Sequence, residues 1–251
     1  VAKPPGPTVL KSFGRQKYAT LDEISEREAI ILFIGHYSVS FLAKRIETPL
    51  PLWLLFLAVQ FIDMIWALFI FTGVEKANIS HEVPGTPLNL FFMPYSHSLI
   101  GALFWSGVAF TIVRYLPIIN NRNFKKAMIV SIAVFSHWIL DLIVHTGDLP
   151  LWLNEFKVGL GLYEYAYISF FLELFFLILG LVLYIGLTTG KGMLGTLGIY
   201  VLLILIVLLG INSVWGVAPP NTKIAAGFLL FSYIFFSLII AWLEKKRILK
   251  I

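Results

Sequence analysis

Residues 193–215 and 224–243 each run for twenty or more positions without one charged side chain, longer than the roughly 18 apolar residues that mark a membrane-crossing helix. Similar stretches at 29–43, 50–73, 94–116, 124–146 and 165–188 are separated only by short charged or Pro/Gly-containing segments. Inside lipid every backbone N–H and C=O must be paired internally, which leaves helices or a closed barrel. Runs such as Leu197 to Leu209 lack the period-two alternation of barrel strands. The expected fold is therefore all-α, a polytopic transmembrane helical bundle of about seven spans. The first stretch is short, about 15 residues, so it is tilted, begins in the preceding segment, or is re-entrant.

Composition agrees. Of 251 residues, 59% are hydrophobic and 13% charged, about half the charged fraction of a soluble domain. The absence of Cys removes disulfides, thiolate metal sites, iron–sulfur ligation and a cysteine nucleophile together. Any metal must sit on nitrogen and oxygen. The net charge of +5 does not indicate a nucleic-acid partner, because the basic residues gather at span ends and in the N-terminal arm, where they anchor and orient spans in the lipid bilayer.

Three segments follow: a polar arm at 1–28, a transmembrane helical domain at 29–243 and a basic tail at 244–251. The arm lacks the apolar core of a signal peptide, and Thr20-Leu21-Asp22-Glu23 reads as the start of a short surface helix. One side of the bundle collects Lys44, Arg45, Arg114, Arg122, Lys125, Lys126, Lys191, Lys245, Lys246, Arg247 and Lys250, whereas the other has Lys76, Lys157 and Lys223. By the positive-inside rule the C-terminus is expected in the cytoplasm of a bacterial cell, with the loops around 74–93 and 147–164 outside. The five basic residues of the arm oppose that orientation.

Ionisable groups in hydrocarbon cost about 2.5–3.5 kcal/mol each, so each needs a partner or a function. Here they are His36, Asp63, His97, His137, Asp141 and His145, with Asp148 just beyond the fourth span; the sixth and seventh spans contain no acid or His. His137, Asp141, His145 and Asp148 stand at i, i+4, i+8 and i+11 and fall within roughly 80° on one helix face. A His and an Asp one turn apart can share a cation, the carboxylate can orient the imidazole of a ligand, or the two can form a structural polar network. With the orientation above, residues from four spans converge in the outer half of the membrane. Gln60, one turn before Asp63, can hydrogen-bond it. Ser96 and Ser98 flank His97, more as helix caps than as a nucleophile. Glu173 faces either the cluster or a neighbouring helix.

Gly35-His36-Tyr37, Gln60-Phe61-Ile62-Asp63, Met93-Pro94-Tyr95-Ser96-His97-Ser98-Leu99, Ser136-His137-Trp138-Ile139-Leu140-Asp141 and His145-Thr146-Gly147-Asp148-Leu149-Pro150-Leu151 occur in that order, followed by Lys157-Val158-Gly159-Leu160-Gly161-Leu162. This series resembles the motifs of bacterial membrane-bound metal-dependent hydrolases over about residues 31–185. The resemblance implies a multi-span protein binding a divalent metal, Zn, Mn or Fe, through His36, Asp63, His97, His137 and Asp141. His145 and Asp148 would then be further ligands or the catalytic acid–base pair. A site beside the outer interface implies a lipid or lipid-linked substrate. Two other functions suit the same residues: an accessory subunit of a membrane complex holding a haem, a pigment or a structural metal, and a transporter or proton relay.

Overall fold

A computed structural model of the chain describes residues 34–117, 119, 120 and 123–250. The arm at 1–28 with its expected surface helix, the first residues of the expected first span, and Arg122 lie outside the described residues. A 3-10 turn at Ile34–His36 leads into α1 (Tyr37–Ile46). Then come α2 (Leu52–Val59), α3 (Phe61–Thr72), α4 (Leu99–Tyr115), α5 (Phe124–Val144), α6 (Ala166–Leu187), α7 (Gly192–Trp215) and α8 (Thr222–Glu244). Strands β1 (Lys76–Val83) and β2 (Thr86–Phe92) form one antiparallel hairpin, and β3 (Leu149–Trp152) and β4 (Glu155–Val158) another. A third antiparallel pair joins β5 (Thr188–Gly190) to β6 (Arg247–Leu249).

The expected seven spans are corrected. Four helices, α5 to α8, are long and apolar enough to cross a membrane, and the count rises to five if α2 and α3, bent by 54° at Gln60, form one broken span. The third expected span is shortened because Pro94 to Ser98 is irregular, and α4 starts only where the Ser98 hydroxyl oxygen caps the Gly101 amide at 2.9 Å. It is then 17 residues long. The first is reduced, within the described residues, to the 3-10 turn and ten residues of α1. The all-α expectation is also too simple. Loops between apolar runs become hairpins because their alternating residues pair across tight turns, as Val83 does with Thr86 and Trp152 with Glu155.

α1 packs along α6, α4 along α5, and α2 and α3 along α8. Their shared interior is apolar, with Tyr37, Phe41, Phe56, Ile62, Phe236 and Ile240 almost wholly buried. Outward faces are apolar too: Phe171, Phe175 and Val182 on α6, Val201, Ile204 and Leu208 on α7, and Phe231 and Leu238 on α8 are all exposed. A water-facing surface does not carry that much contiguous hydrocarbon. The long helices and their outer faces are compatible with an integral membrane protein.

The basic stretches meet at one end of the bundle. Lys44 pairs with Glu244 at 2.6 Å and Lys125 with Glu47 at 2.6 Å, and the β5–β6 pair ties the 188–191 turn to the C-terminal tail. The tail is thus part of the fold: Arg247 donates from Nε to Thr188 Oγ1 at 2.9 Å and from Nη1 to the Gly195 carbonyl. The opposite end gathers the first two hairpins, with the Gly85 amide donating to the Tyr163 carbonyl at 2.8 Å and Thr222 Oγ1 to the Ala77 carbonyl at 3.0 Å.

Candidate metal centre

His36, Asp63, His97, His137 and Asp141, drawn from the start of α1, from α3, from the turn before α4 and from α5, converge into one buried cluster. Each is at most 3% exposed. Two triads, His36–His137–Asp141 and Asp63–His97–His137, place their ligand atoms within metal-binding distance. Asp141 Oδ1 lies 3.4 Å from His36 Nε2, while its Oδ2 lies 3.3 Å from His137 Nε2 and 3.7 Å from His97 Nε2. Asp63 Oδ1 lies 3.1 Å from His97 Nε2 and 3.5 Å from His137 Nε2.

Two of the three rings are aimed by partners outside the cluster. A continuous helix would pair the Val59 carbonyl with the amide four residues on, but at the bend this carbonyl accepts from His137 Nδ1–H at 2.7 Å. In the neutral imidazole that leaves the Nε2 lone pair directed at the two carboxylates. His97 is held by a chain of three groups. Ser96 Oγ gives its single proton to Glu75 Oε2 at 2.6 Å and therefore accepts from His97 Nδ1–H at 2.7 Å. Glu75, 1% exposed, is fixed in turn by the Tyr95 and Ser96 amides, both at 2.8 Å. His97 Nε2 thus also presents a lone pair. Asp63 Oδ2 receives the Tyr233 hydroxyl of α8 at 2.6 Å, which turns Oδ1 inward.

With both rings neutral, acceptors face acceptors; with His97 protonated, its Nε2–H donates to Asp63 Oδ1 at 3.1 Å. The only partners of the Asp141 oxygens are imidazole nitrogens at 3.3 to 3.7 Å, and no Lys or Arg pairs with Asp63 or Asp141, among the described residues. A buried carboxylate in that state is costly unless a cation or added protons sit between it and the imidazoles.

Glu173 of α6 belongs to the support of this site, with its Oε2 accepting from the Gly35 amide at 3.4 Å, next to His36. His145 and Asp148 do not continue the helical stripe. α5 ends at Val144, His145 is its extended C-cap residue, and Gly147 at φ 88° turns the chain into the β3–β4 hairpin. The two side chains pair with each other, His145 Nδ1 to Asp148 Oδ1 at 2.8 Å. Burial opposes the charge on His145, yet the charge and hydrogen bond of Asp148 together with the charges of Asp141 and Asp63 outweigh it and raise its pKa. Burial likewise opposes charge on Asp148, and His145 reverses it and lowers that pKa. Gly159 seals this corner: a Cβ there would meet the His145 carbonyl oxygen at 2.2 Å, so the chain returning from β4 fits against the end of α5 only without a side chain.

Ser98 caps α4, as expected, and Ser96 carries the link from Glu75 to His97. Three supports escaped the sequence. Glu75 stands beside Lys76 at the end of an apolar run, where acids are ordinarily solvated; Tyr233 is one of many aromatics in an apolar span; and the Val59 carbonyl has no side-chain signal. The chain matches no known protein family, no curated protein and no solved structure.

Proposed function

We propose that the chain is a membrane-embedded, metal-dependent hydrolase acting on a lipid or lipid-linked substrate. The observation that carries this reading is Asp141, a buried carboxylate whose two oxygens face three imidazole nitrogens with no Lys or Arg paired to it among the described residues. Three histidines and two aspartates form an all-N/O donor set suited to Zn, Mn or Fe. Such an ion supplies Lewis-acid polarisation of a carbonyl or phosphoryl oxygen and makes water acidic enough to react near neutral pH.

The chain's own residues do the rest. Val59 and the Glu75–Ser96 pair fix the two rings, Tyr233 fixes Asp63, and burial keeps bulk water from the donor atoms. Asp148 holds His145 by Nδ1, which leaves His145 Nε2 to accept a proton and return it to a leaving group. The ordered motif series and its resemblance to membrane-bound metal-dependent hydrolases support the same assignment. The basic end is read as the cytoplasmic face of a bacterial membrane, which puts the cluster in the outer half beside the lipid interface. The spacing disfavours a haem or pigment, because the rings of His36 and His137 are 4.4 Å apart, room for an ion rather than a macrocycle.

Elemental analysis and an absorption spectrum of the detergent-purified protein test the reading together. Near-stoichiometric divalent metal without a Soret band is expected, lost in His137→Ala and in Asp141→Ala. Full metal retention by both variants sinks the assignment.

A further inference from the structure

Beside the metal centre, on the side of the hairpins, lies a cavity of about 140 Å³. His145 lines it, with Nε2 buried and without a hydrogen-bond partner among the described residues. Its polar wall comprises Ser80, Glu82, Thr86, Asn89, Thr146 and Asp148, and Tyr163 closes one side. The β1–β2 hairpin is pinned over it at Gly85, where a Cβ would approach the Tyr163 carbonyl to 2.6 Å, and Tyr163 packs its ring 5.9 Å from that of His145. A liquid water occupies about 30 Å³, so the space matches a few waters or one small polar group and is too small for a whole lipid.

The chemistry of the lining is one-sided. Two carboxylates only accept, the hydroxyls and the amide can accept as well as donate, and no Lys or Arg lines the cavity among the described residues. The nearby Lys157 is outside the lining, its Nζ donating to the Phe91 carbonyl at 3.0 Å while its charge acts on Asp148. His145 balances Asp148, but Glu82 has no cationic partner among the described residues, so an anionic group would meet its carboxylate unbalanced.

We propose that this cavity is the subsite for the head group of the substrate, a small hydroxylated or ammonium-bearing group that donates hydrogen bonds to Glu82 and Asn89. The proposal rests on the hydrolase reading, since it places the bond to be cleaved between this cavity and the His/Asp cluster.

Binding of three lipids to the full chain in detergent, followed by native mass spectrometry, tests it: phosphatidylethanolamine for an ammonium head, a glucosyl diacylglycerol for a hydroxylated one, and phosphatidic acid for an anionic one. At least one of the first two is expected to bind about tenfold more tightly than phosphatidic acid, and whichever leads names the head group. Glu82→Gln and Asn89→Ala should each weaken that lipid by about tenfold, the scale of a hydrogen bond to a charged group, with bound metal unchanged. Equal binding of all three lipids, tighter binding of phosphatidic acid, or wild-type binding by both variants overturns the subsite. Metal content measured on the same samples separates the two ideas: selective binding by a protein that holds no metal would remove the hydrolase reading and leave the cavity standing.

Discussion

Two buried polar clusters lie at opposite ends of α1, and they are completed differently. Near its end, Lys44 supplies a cation from the chain itself: Nζ donates to the Thr48 and Leu50 carbonyls at 2.6 and 2.7 Å and pairs with Glu244 Oε1 at 2.6 Å. Glu244 Oε2 accepts from the Leu52 amide at 2.8 Å, so the lock joins α1, α2 and α8 with its charges matched. At the start of α1, His36 enters a cluster with two carboxylates and no chain cation in reach among the described residues. One network is finished by folding. The other is left open by the chain, and on the proposed reading a metal ion completes it, with the His97 and His137 rings held by partners outside the cluster.

Removing a carboxylate from the unfinished cluster is expected to have the largest effect. Asp141→Ala should abolish bound metal, read by elemental analysis, while the protein keeps its helical circular dichroism. Next comes Glu75→Gln, which leaves every proposed ligand in place but weakens the hold on His97. A loss of about 10–100-fold in metal affinity is expected, the range for outer partners of metal-bound histidines, measured by competition with a chelator of known affinity. Unchanged affinity would mean that the Glu75–Ser96–His97 chain is merely structural. Tyr233→Phe removes one hydrogen bond to Asp63 and should cost about tenfold in the same assay. Lys44→Met probes the finished cluster, lowering the stability of the folded protein by about 1–3 kcal/mol through the unpaired, partly exposed Glu244. Its metal content should not change, and a parallel loss of metal would erase the distinction between the clusters.

The five-residue cluster was legible in the sequence because charges in apolar helices are rare enough to be conspicuous, and those of α3, the turn before α4 and α5 do meet. The long helices α6 to α8 were legible for the same reason, being uniformly apolar over more than twenty residues. Other features depend on contacts distant in the chain. Nothing near Tyr233 marks it as a partner of Asp63, 170 residues away. The break at Gln60 has no proline to announce it, so residues 50–73 read as one straight span. The β1–β2 hairpin was missed because strand pairing depends on register between two stretches that are each unremarkable alone.

That break ties the aim of a cluster side chain to the shape of a helix pair. α2 and α3 together have the apolar length of a span but are folded by 54°, so they reach across less hydrocarbon than a straight helix of the same residues. Straightening them to match a thicker membrane would return the Val59 carbonyl to the helical ladder and take from His137 the acceptor that orients its ring. The bend of the helix pair and the aim of the His137 ring are therefore one feature, and whatever straightens the first releases the second.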